Sequence, residues 1–388
     1  MEPERVIQVR CSILPTSYAF SSCVHLVPCP MGRRLGKSPR EPRLPRAILQ
    51  LLRLGPYVGG LRFHPETRHG TVKFLAFENV FRNAVYGPLG GAAGGADFNP
   101  LDKSEAEIMR FCQSFTTELA NYIGPTTDIP TAGVNVGPRE LGFMFGQFKR
   151  LRQLHPLGVD GVLGGSAYFP QVPGHGLAHM AKLMVEANGQ SLVGKRCLIS
   201  GSGTVALNAA DKLLDLGAIP IGFSDVWGHV IEPAGFTREQ LHRLKQIKAE
   251  HKAHLGGYIM TSTSATYCPT EDGSLWDVPC DYAFPCAMQH DLDEEKAKKL
   301  IKNGCKGLFE GAHLPLSQEL ALITRTSGLS ALRPADIDRI VQECMQDVFS
   351  AISATAVEFN LARGDYHAAT NITGFLKVAQ AMFRQGAV

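Results

Sequence analysis

The chain has 388 residues, 44% of them hydrophobic and 19% charged, an ordinary globular composition with enough chain for roughly two or three cores. A net charge of +3 is too weak to draw a nucleic acid or an anionic membrane, and no stretch reaches the roughly 18 apolar residues of a spanning helix. Ten cysteines without a CxxC pair predict reduced thiols in a cytoplasmic protein, and Cys11, Cys23 and Cys29 match no zinc spacing.

In chain order, MEPERVIQVR reads as a strand, whereas the rest of residues 1–54 is Arg- and Pro-rich, without period, and reads as an atypical, partly disordered segment. Three glycine-rich segments follow, GPYVGGLRFHP (55–65), PLGGAAGGADF (88–98) and PTAGVNVGPRE (130–140). Between the second and third, Ser104 and Glu107 form a capping-box pattern, and Ile108, Phe111, Cys112, Phe115, Leu119 and Tyr122 predict one apolar helix face ending near Gly124. His175 and His179 sit four apart, but no acidic residue completes an HExxH set, so they read as packing or surface histidines. Ser166 and Ser202 lack a G-x-S-x-G elbow.

A second core begins at Leu192. RCLIS (196–200) is a short buried-strand signal, GSGTVA turns it into a helix, and NAADKLLDLG (208–217) ends that helix at a glycine. IPIGFSD (219–225), VPCDYAFPC (278–286) and KGLFEG (306–311) predict further strands, with DLDEEKAKKLIKNG (291–304) as a helix between the last two. This alternation predicts an α/β fold with a parallel, doubly wound sheet. Ile337, Ile340, Val341, Cys344, Met345, Val348, Phe349 and Ile352 follow helical spacing and predict a long amphipathic helix.

GSGTVA (201–206) is a G-x-G-x-x-A fingerprint between a strand and a helix, so its backbone N–H groups and the positive helix end suit a pyrophosphate. Asp225 follows about twenty residues later, where an acidic group meets a ribose hydroxyl in dinucleotide folds. That pattern points to Gly201, Ser202, Gly203, Thr204, Val205 and Asp225 as cofactor-binding, the alternative being a glycine turn that only packs the strand on the helix.

The three glycine-rich segments, with SLVGKRCLISGSGTVALNAADKL, PCAMQHDLDEEKAKKLIKNGCK and EGAHLPLS, resemble the hexameric NADP-dependent glutamate dehydrogenase family, within the Glu/Leu/Phe/Val dehydrogenases. The resemblance implies a substrate domain with a mixed sheet over 55–185, a Rossmann-type domain over 186–325, and C-terminal helices over 326–388 that pack back on the substrate domain. Through the similarity of these long segments to the family's NADP-linked class it implies NADP as cofactor, with NAD as the alternative: an Asp at a strand end ordinarily favours NAD, but the family's NADP-using members also carry a Ser-Asp pair like Ser224 and Asp225. It further implies glutamate and 2-oxoglutarate as substrates, with assembly into a homo-oligomer or with an intact paralogue.

At the chemistry-bearing positions the sequence departs from the family. The family's Lys before GGLRFHP, which pairs with the distal carboxylate of glutamate, is Val58 here. The family's catalytic Lys and catalytic Asp are Ala93 and Gly133, so no catalytic residue is assigned. Substrate-binding roles carry over to Asn79, Arg82 and Ser327, and a nicotinamide-ribose role to His313 in place of an Asn. Pro173 replaces a Thr near the nicotinamide, and nearly all of a family strand and glycine-rich turn is missing between residues 324 and 326. The expectation is a dehydrogenase scaffold, slow or inactive, with a non-catalytic nucleotide-binding subunit or a defective gene product as alternatives.

Overall fold

The computed structural model describes residues 5–13, 20–28, 57–87, 89–124, 127–152, 171–249, 254–287, 291–311, 334–362 and 364–385. They fall into two compact units: the first takes the described residues from 5 to 152 and from 351 to 385, the second those from 171 to 311 and from 334 to 350.

The first unit is built on a five-stranded mixed sheet of β1 (Arg5–Ile13), β2 (Phe20–Pro28), β3 (Tyr57–Phe63), β4 (Gly90–Ala96) and β5 (Asp128–Thr131), in the order β2-β1-β4-β3-β5. β1 runs antiparallel to both β2 and β4, while β3 runs parallel to β4 and β5. Residues 11–13 and 20–28 therefore lie in strands, which corrects the expectation of an irregular segment there. The reason is a partner remote in sequence: β1 pairs with β4, a contact that local composition does not encode. Residues 29–54 lie outside the described residues.

Helix α1 (His69–Tyr86) follows β3, and α2 (Glu105–Leu119) and α3 (Pro138–Arg152) complete the first run. The Ser104 hydroxyl accepts from Glu107 N while the Glu107 carboxylate accepts from Ser104 N at 2.8 Å, so the predicted capping box forms. Ile108, Phe111, Cys112, Phe115 and Leu119 are buried as the spacing predicts, but the helix stops at Leu119, before Tyr122. Phe63 of β3 meets Phe111 edge to face at 5.1 Å and Phe98 stacks on Phe111 at 3.9 Å, which ties the helix to the end of the sheet.

The second unit opens with α4 (Val172–Ala187), then β6 (Arg196–Ser200), α5 (Thr204–Asp215), β7 (Ile219–Ser224), β8 (Gly228–Ile231), α6 (Arg238–Ala249), β9 (Thr266–Pro269), β10 (Tyr282–Pro285), α7 (Glu294–Lys302) and β11 (Gly307–Leu308). The sheet order is β11-β10-β6-β7-β8-β9. The four strands from β11 to β7 are parallel, as the alternation predicts, whereas β8 and β9 add an antiparallel edge. The connection from β7 to β8 is only Asp225, Val226 and Trp227, too short for a crossover helix, so the strand must turn back.

Helix α8 (Pro334–Glu358) buries Ile337, Val341, Met345, Val348 and Ile352, and its last turns belong to the first unit. The last described helix is α9 (Tyr366–Gln385), where Val378 packs with Val72, Ala76, Val80 and Ala84 of α1, and Lys377 donates to Val85 O at 2.7 Å. Among the described residues no helix is long and apolar enough to cross a membrane.

Candidate active site

In the first unit the three glycine-rich segments become β3, β4 and the loop after β5, so they lie side by side in one sheet. The loop is pinned by a reciprocal pair, Gly133 N to Val136 O at 2.9 Å and Val136 N to Gly133 O at 3.1 Å. Asn135, in the left-handed region at φ 56°, donates its side-chain amide to Phe63 O at 3.0 Å. Arg139 and Glu140 form an ion pair at 2.5 Å, and the same carboxylate accepts from Gly137 N at 2.9 Å.

The positions where the sequence departs from the family are closed, not merely uncharged. Val58 is 1% exposed and packs with Leu89 and Ile129. Ala93, 3% exposed, lies in the apolar cluster of Val72, Leu75, Ala76, Val80 and Val378. At Gly133 an added Cβ would stand 2.1 Å from Leu61 O, a contact no real side chain makes, so the backbones approach only because the residue is glycine. Asn79 donates to Ala92 O at 2.7 Å and Asn83 to Gly90 O at 2.7 Å, so both amides strap α1 to β4. Arg82 is half-buried on α1 and pairs with Glu78 at 3.5 Å. Burial pushes the Arg62 guanidinium below its ordinary value.

In the second unit Gly201 leaves β6 at φ 82°, a left-handed turn that favours glycine, and its N–H donates to the Ser224 hydroxyl at 3.0 Å. Ser224 thus holds the loop against the end of β7. Ser202 is buried, while Gly203 and Thr204 are exposed at the start of α5, with open space beyond the Gly203 Cα. Val205 packs on the core of the unit. The first N–H groups of α5 lack intrahelical partners, so this turn presents exposed donors at the positive end of a helix, which fits a pyrophosphate.

Asp225, aimed at a ribose hydroxyl by its place in the sequence, is taken up elsewhere. Its Oδ1 accepts from Trp227 N at 3.0 Å and Gly228 N at 3.2 Å, and its Oδ2 accepts from Leu255 N at 2.7 Å. Lys248 stands 3.7 Å away, and the carboxylate side chain is 7% exposed. One oxygen closes the β7–β8 turn and the other takes the first N–H of the 3₁₀ helix Leu255–Thr261. Ser327 and His313 lie outside the described residues, as does the gap near residue 325; Pro173 is buried in the first turn of α4.

Sequence spacing missed one cluster. Asp338 of α8 lies 3.3 Å from His175 Nδ1 and 3.2 Å from His179 Nε2 through one oxygen, and accepts from Lys212 Nζ at 2.6 Å through the other. The acid absent from the local histidine motif thus arrives 163 residues later. Burial pushes both imidazoles below their ordinary value despite the Asp338 carboxylate. Burial raises Asp338, but its hydrogen bonds from Lys212 and His179 outweigh that and hold it below the usual carboxylate range. Among the described residues no group of three or more His, Cys, Asp or Glu is placed to hold a metal ion.

A family model described as Glutamate/Leucine/Phenylalanine/Valine dehydrogenase matches residues 164–333, and one described as Glu/Leu/Phe/Val dehydrogenase, dimerisation domain, matches residues 50–150. An NADP-specific glutamate dehydrogenase of Chlorella sorokiniana is 38% identical, the match covering 86% of this chain and 69% of the relative. One from Escherichia coli is 37% identical, covering 86% and 80% respectively. Among solved structures, Plasmodium falciparum glutamate dehydrogenase superposes with a TM-score of 0.81 at 33% identity, over 100% of this chain and 85% of that one.

Proposed function

Because the chain belongs to the Glu/Leu/Phe/Val dehydrogenase family, we propose that it is a glutamate dehydrogenase homologue for NADP-linked interconversion of L-glutamate with 2-oxoglutarate and ammonia, and that this copy is slow or inactive. The carrying observation is that Ala93 is packed in an apolar cluster and Gly133 is closed against Leu61 O, where the family resemblance places its proton-handling Lys and Asp.

A bound dinucleotide would supply the hydride acceptor for the substrate carbon. In this chain the exposed turn at Gly203 and Thr204 would hold its pyrophosphate, with Gly201 and Ser224 fixing the turn. The enclosure of Asp225 beside Lys248 removes the exposed acid that would repel a 2′-phosphate, which supports NADP. Deamination also needs protons moved at the nitrogen and at an attacking water. A methyl at 93 and a hydrogen at 133 hold no proton, and a positioned acid or base ordinarily supplies about 10²–10⁴ in rate. Val58 likewise offers no charge to a distal carboxylate, where a charged hydrogen bond contributes about 1.5–3 kcal/mol.

The test follows NADPH consumption by the purified chain with 2-oxoglutarate and ammonium, alongside NADPH binding. Binding with turnover at least about 10²-fold below an intact family member is the expected result. Turnover within tenfold of that member would overturn the slow reading. The match of residues 50–150 to a dimerisation domain supports a homo-oligomer. A second reading, a nucleotide-binding subunit of a mixed oligomer, is favoured by an open pyrophosphate turn in the second unit together with closed catalytic positions in the first. It is tested by co-expression with an intact family member and separation of mixed assemblies.

A further inference from the structure

The second unit contains a thiol pair that the dehydrogenase chemistry does not use. Cys280 lies two residues before β10 and Cys305 two residues before β11. Those strands are parallel neighbours in the register Tyr282 to Gly307 and Ala283 to Leu308, and Lys306 N donates to Asp281 O at 2.8 Å. Continuing that register backwards brings Cys280 opposite Cys305. Adjacent strands run about 4.8 Å apart, inside the Cα separation of roughly 4.4–6.8 Å that a disulfide spans. Both residues lie outside the regular ladder, so neither backbone is held by strand pairing at the cysteine itself.

The side chains already meet. Cys305 packs against the apolar cluster that contains Cys280, and the Cys305 thiol donates to Gly307 O at 3.3 Å. Cys280 is buried among Leu198, Leu275, Trp276 and Leu300, whereas Cys305 is partly exposed. The two sulfurs therefore differ in what they can do: one is accessible to a solute and the other only to its neighbour. The neighbouring Cys280 thiol pulls Cys305 below the ordinary thiol range, and the same contact with burial pushes Cys280 above it. Cys197 and Cys286 are fully or nearly buried, so neither offers a sulfur to solvent.

We propose that Cys305 and Cys280 form a peroxide-oxidisable dithiol, with Cys305 as the attacking thiol and Cys280 as the resolving one. The Cys305 thiolate attacks one oxygen of hydrogen peroxide, the O–O bond breaks, and the sulfur becomes a sulfenic acid while the departing hydroxide takes a proton to give water. The Cys280 sulfur then attacks the sulfenic sulfur, the S–O bond breaks, and the hydroxide leaves as water with the Cys280 proton. Two thiols are oxidised, one peroxide is reduced, and two waters form. The cross-link ties the starts of β10 and β11 around α7. It lies at the opposite strand ends from Cys286, whose N–H donates to Ser200 Oγ at 3.0 Å beside the dinucleotide turn, so NADPH binding is expected to be unchanged.

The experiment treats the folded full chain with equimolar hydrogen peroxide, alkylates remaining thiols, and maps peptides after cleavage at lysine and aspartate, which separates Cys268, Cys280 and Cys286. The expected result is loss of two alkylatable thiols, one peptide pair joining Cys280 to Cys305, and recovery of both thiols with dithiothreitol. Cys280→Ser should leave Cys305 as a dimedone-reactive sulfenic acid, and Cys305→Ser should leave Cys280 fully alkylatable after denaturation. Full alkylation of both thiols in the treated wild-type chain would overturn the proposal, as would a cross-link to another cysteine. Because the decisive measurement is on the unaltered chain, a variant that fails to fold does not remove the test.

Discussion

Replacing Asp225 by alanine separates a structural carboxylate from a cofactor-selecting one. Three backbone N–H groups, those of Trp227, Gly228 and Leu255, lose their acceptor, and Lys248 loses its counter-charge. A hydrogen bond to a charged group contributes about 1.5–3 kcal/mol when both partners are withdrawn from water. The Trp227 N–H lies in an exposed turn and is re-solvated at little cost, whereas the carboxylate itself is 7% exposed. Roughly 1 kcal/mol for each of the Gly228 and Leu255 amides gives a destabilisation of about 2 kcal/mol, and Asp225→Asn, which keeps one acceptor oxygen, about half of that. Urea unfolding followed by the fluorescence of the buried Trp276 reads the second unit directly. The ratio of NADPH to NADH affinity should move less than about twofold, because the carboxylate faces backbone and not solvent. Stability unchanged within about 0.5 kcal/mol, together with a tenfold swing in cofactor preference, would refute the argument.

Three further outcomes follow from the same geometry. Gly133→Ala should destabilise the first unit by about 2–3 kcal/mol in urea titration, because its Cβ meets a backbone oxygen at 2.1 Å; Gly133→Asp combined with Ala93→Lys should therefore fail to install full activity, and a stable, active double variant would contradict the packing described. Gly201→Ala should weaken NADPH binding and lower stability by about 1–2 kcal/mol, since φ 82° disfavours a side chain and Ala287 lies 3.0 Å from the new Cβ; calorimetric titration checks the first and thermal unfolding the second. Because burial lowers His175 and His179 from 6.5, the unfolded chain binds more protons than the folded one below that value; stability should fall as pH drops from about 6.5 through the lowered folded values, and His175→Gln with His179→Gln should flatten that slope.

Much of the fold was legible locally. The strand Arg196–Ser200 lies where RCLIS predicts it, the Ser104 and Glu107 capping box forms, and the stripe from Ile337 to Ile352 faces inward on a helix. Each of these signals sits within a few residues of the structure it determines, through hydrogen-bond ring size or helical period. The β1–β2 hairpin and the antiparallel β8–β9 edge were less legible, because a strand's partner is a matter of register across the sheet and not of its own composition.

For the candidate site, the sequence by itself determined which chemical groups exist: a glycine turn suited to a pyrophosphate, and Val58, Ala93 and Gly133 where the resemblance expects charge. Side-chain identity sets which protons and charges a position can supply, whatever the fold does. Only the tertiary structure decided where polar groups point. Asp225 turns to Leu255 N thirty residues on, Asn79 to Ala92 O, and Asp338 to a histidine pair more than 150 residues earlier. It likewise brought Cys280 against Cys305 by aligning two parallel strands. Burial obliges each such group to find a partner, but separation along the chain carries no information about which partner folding brings within about 3 Å.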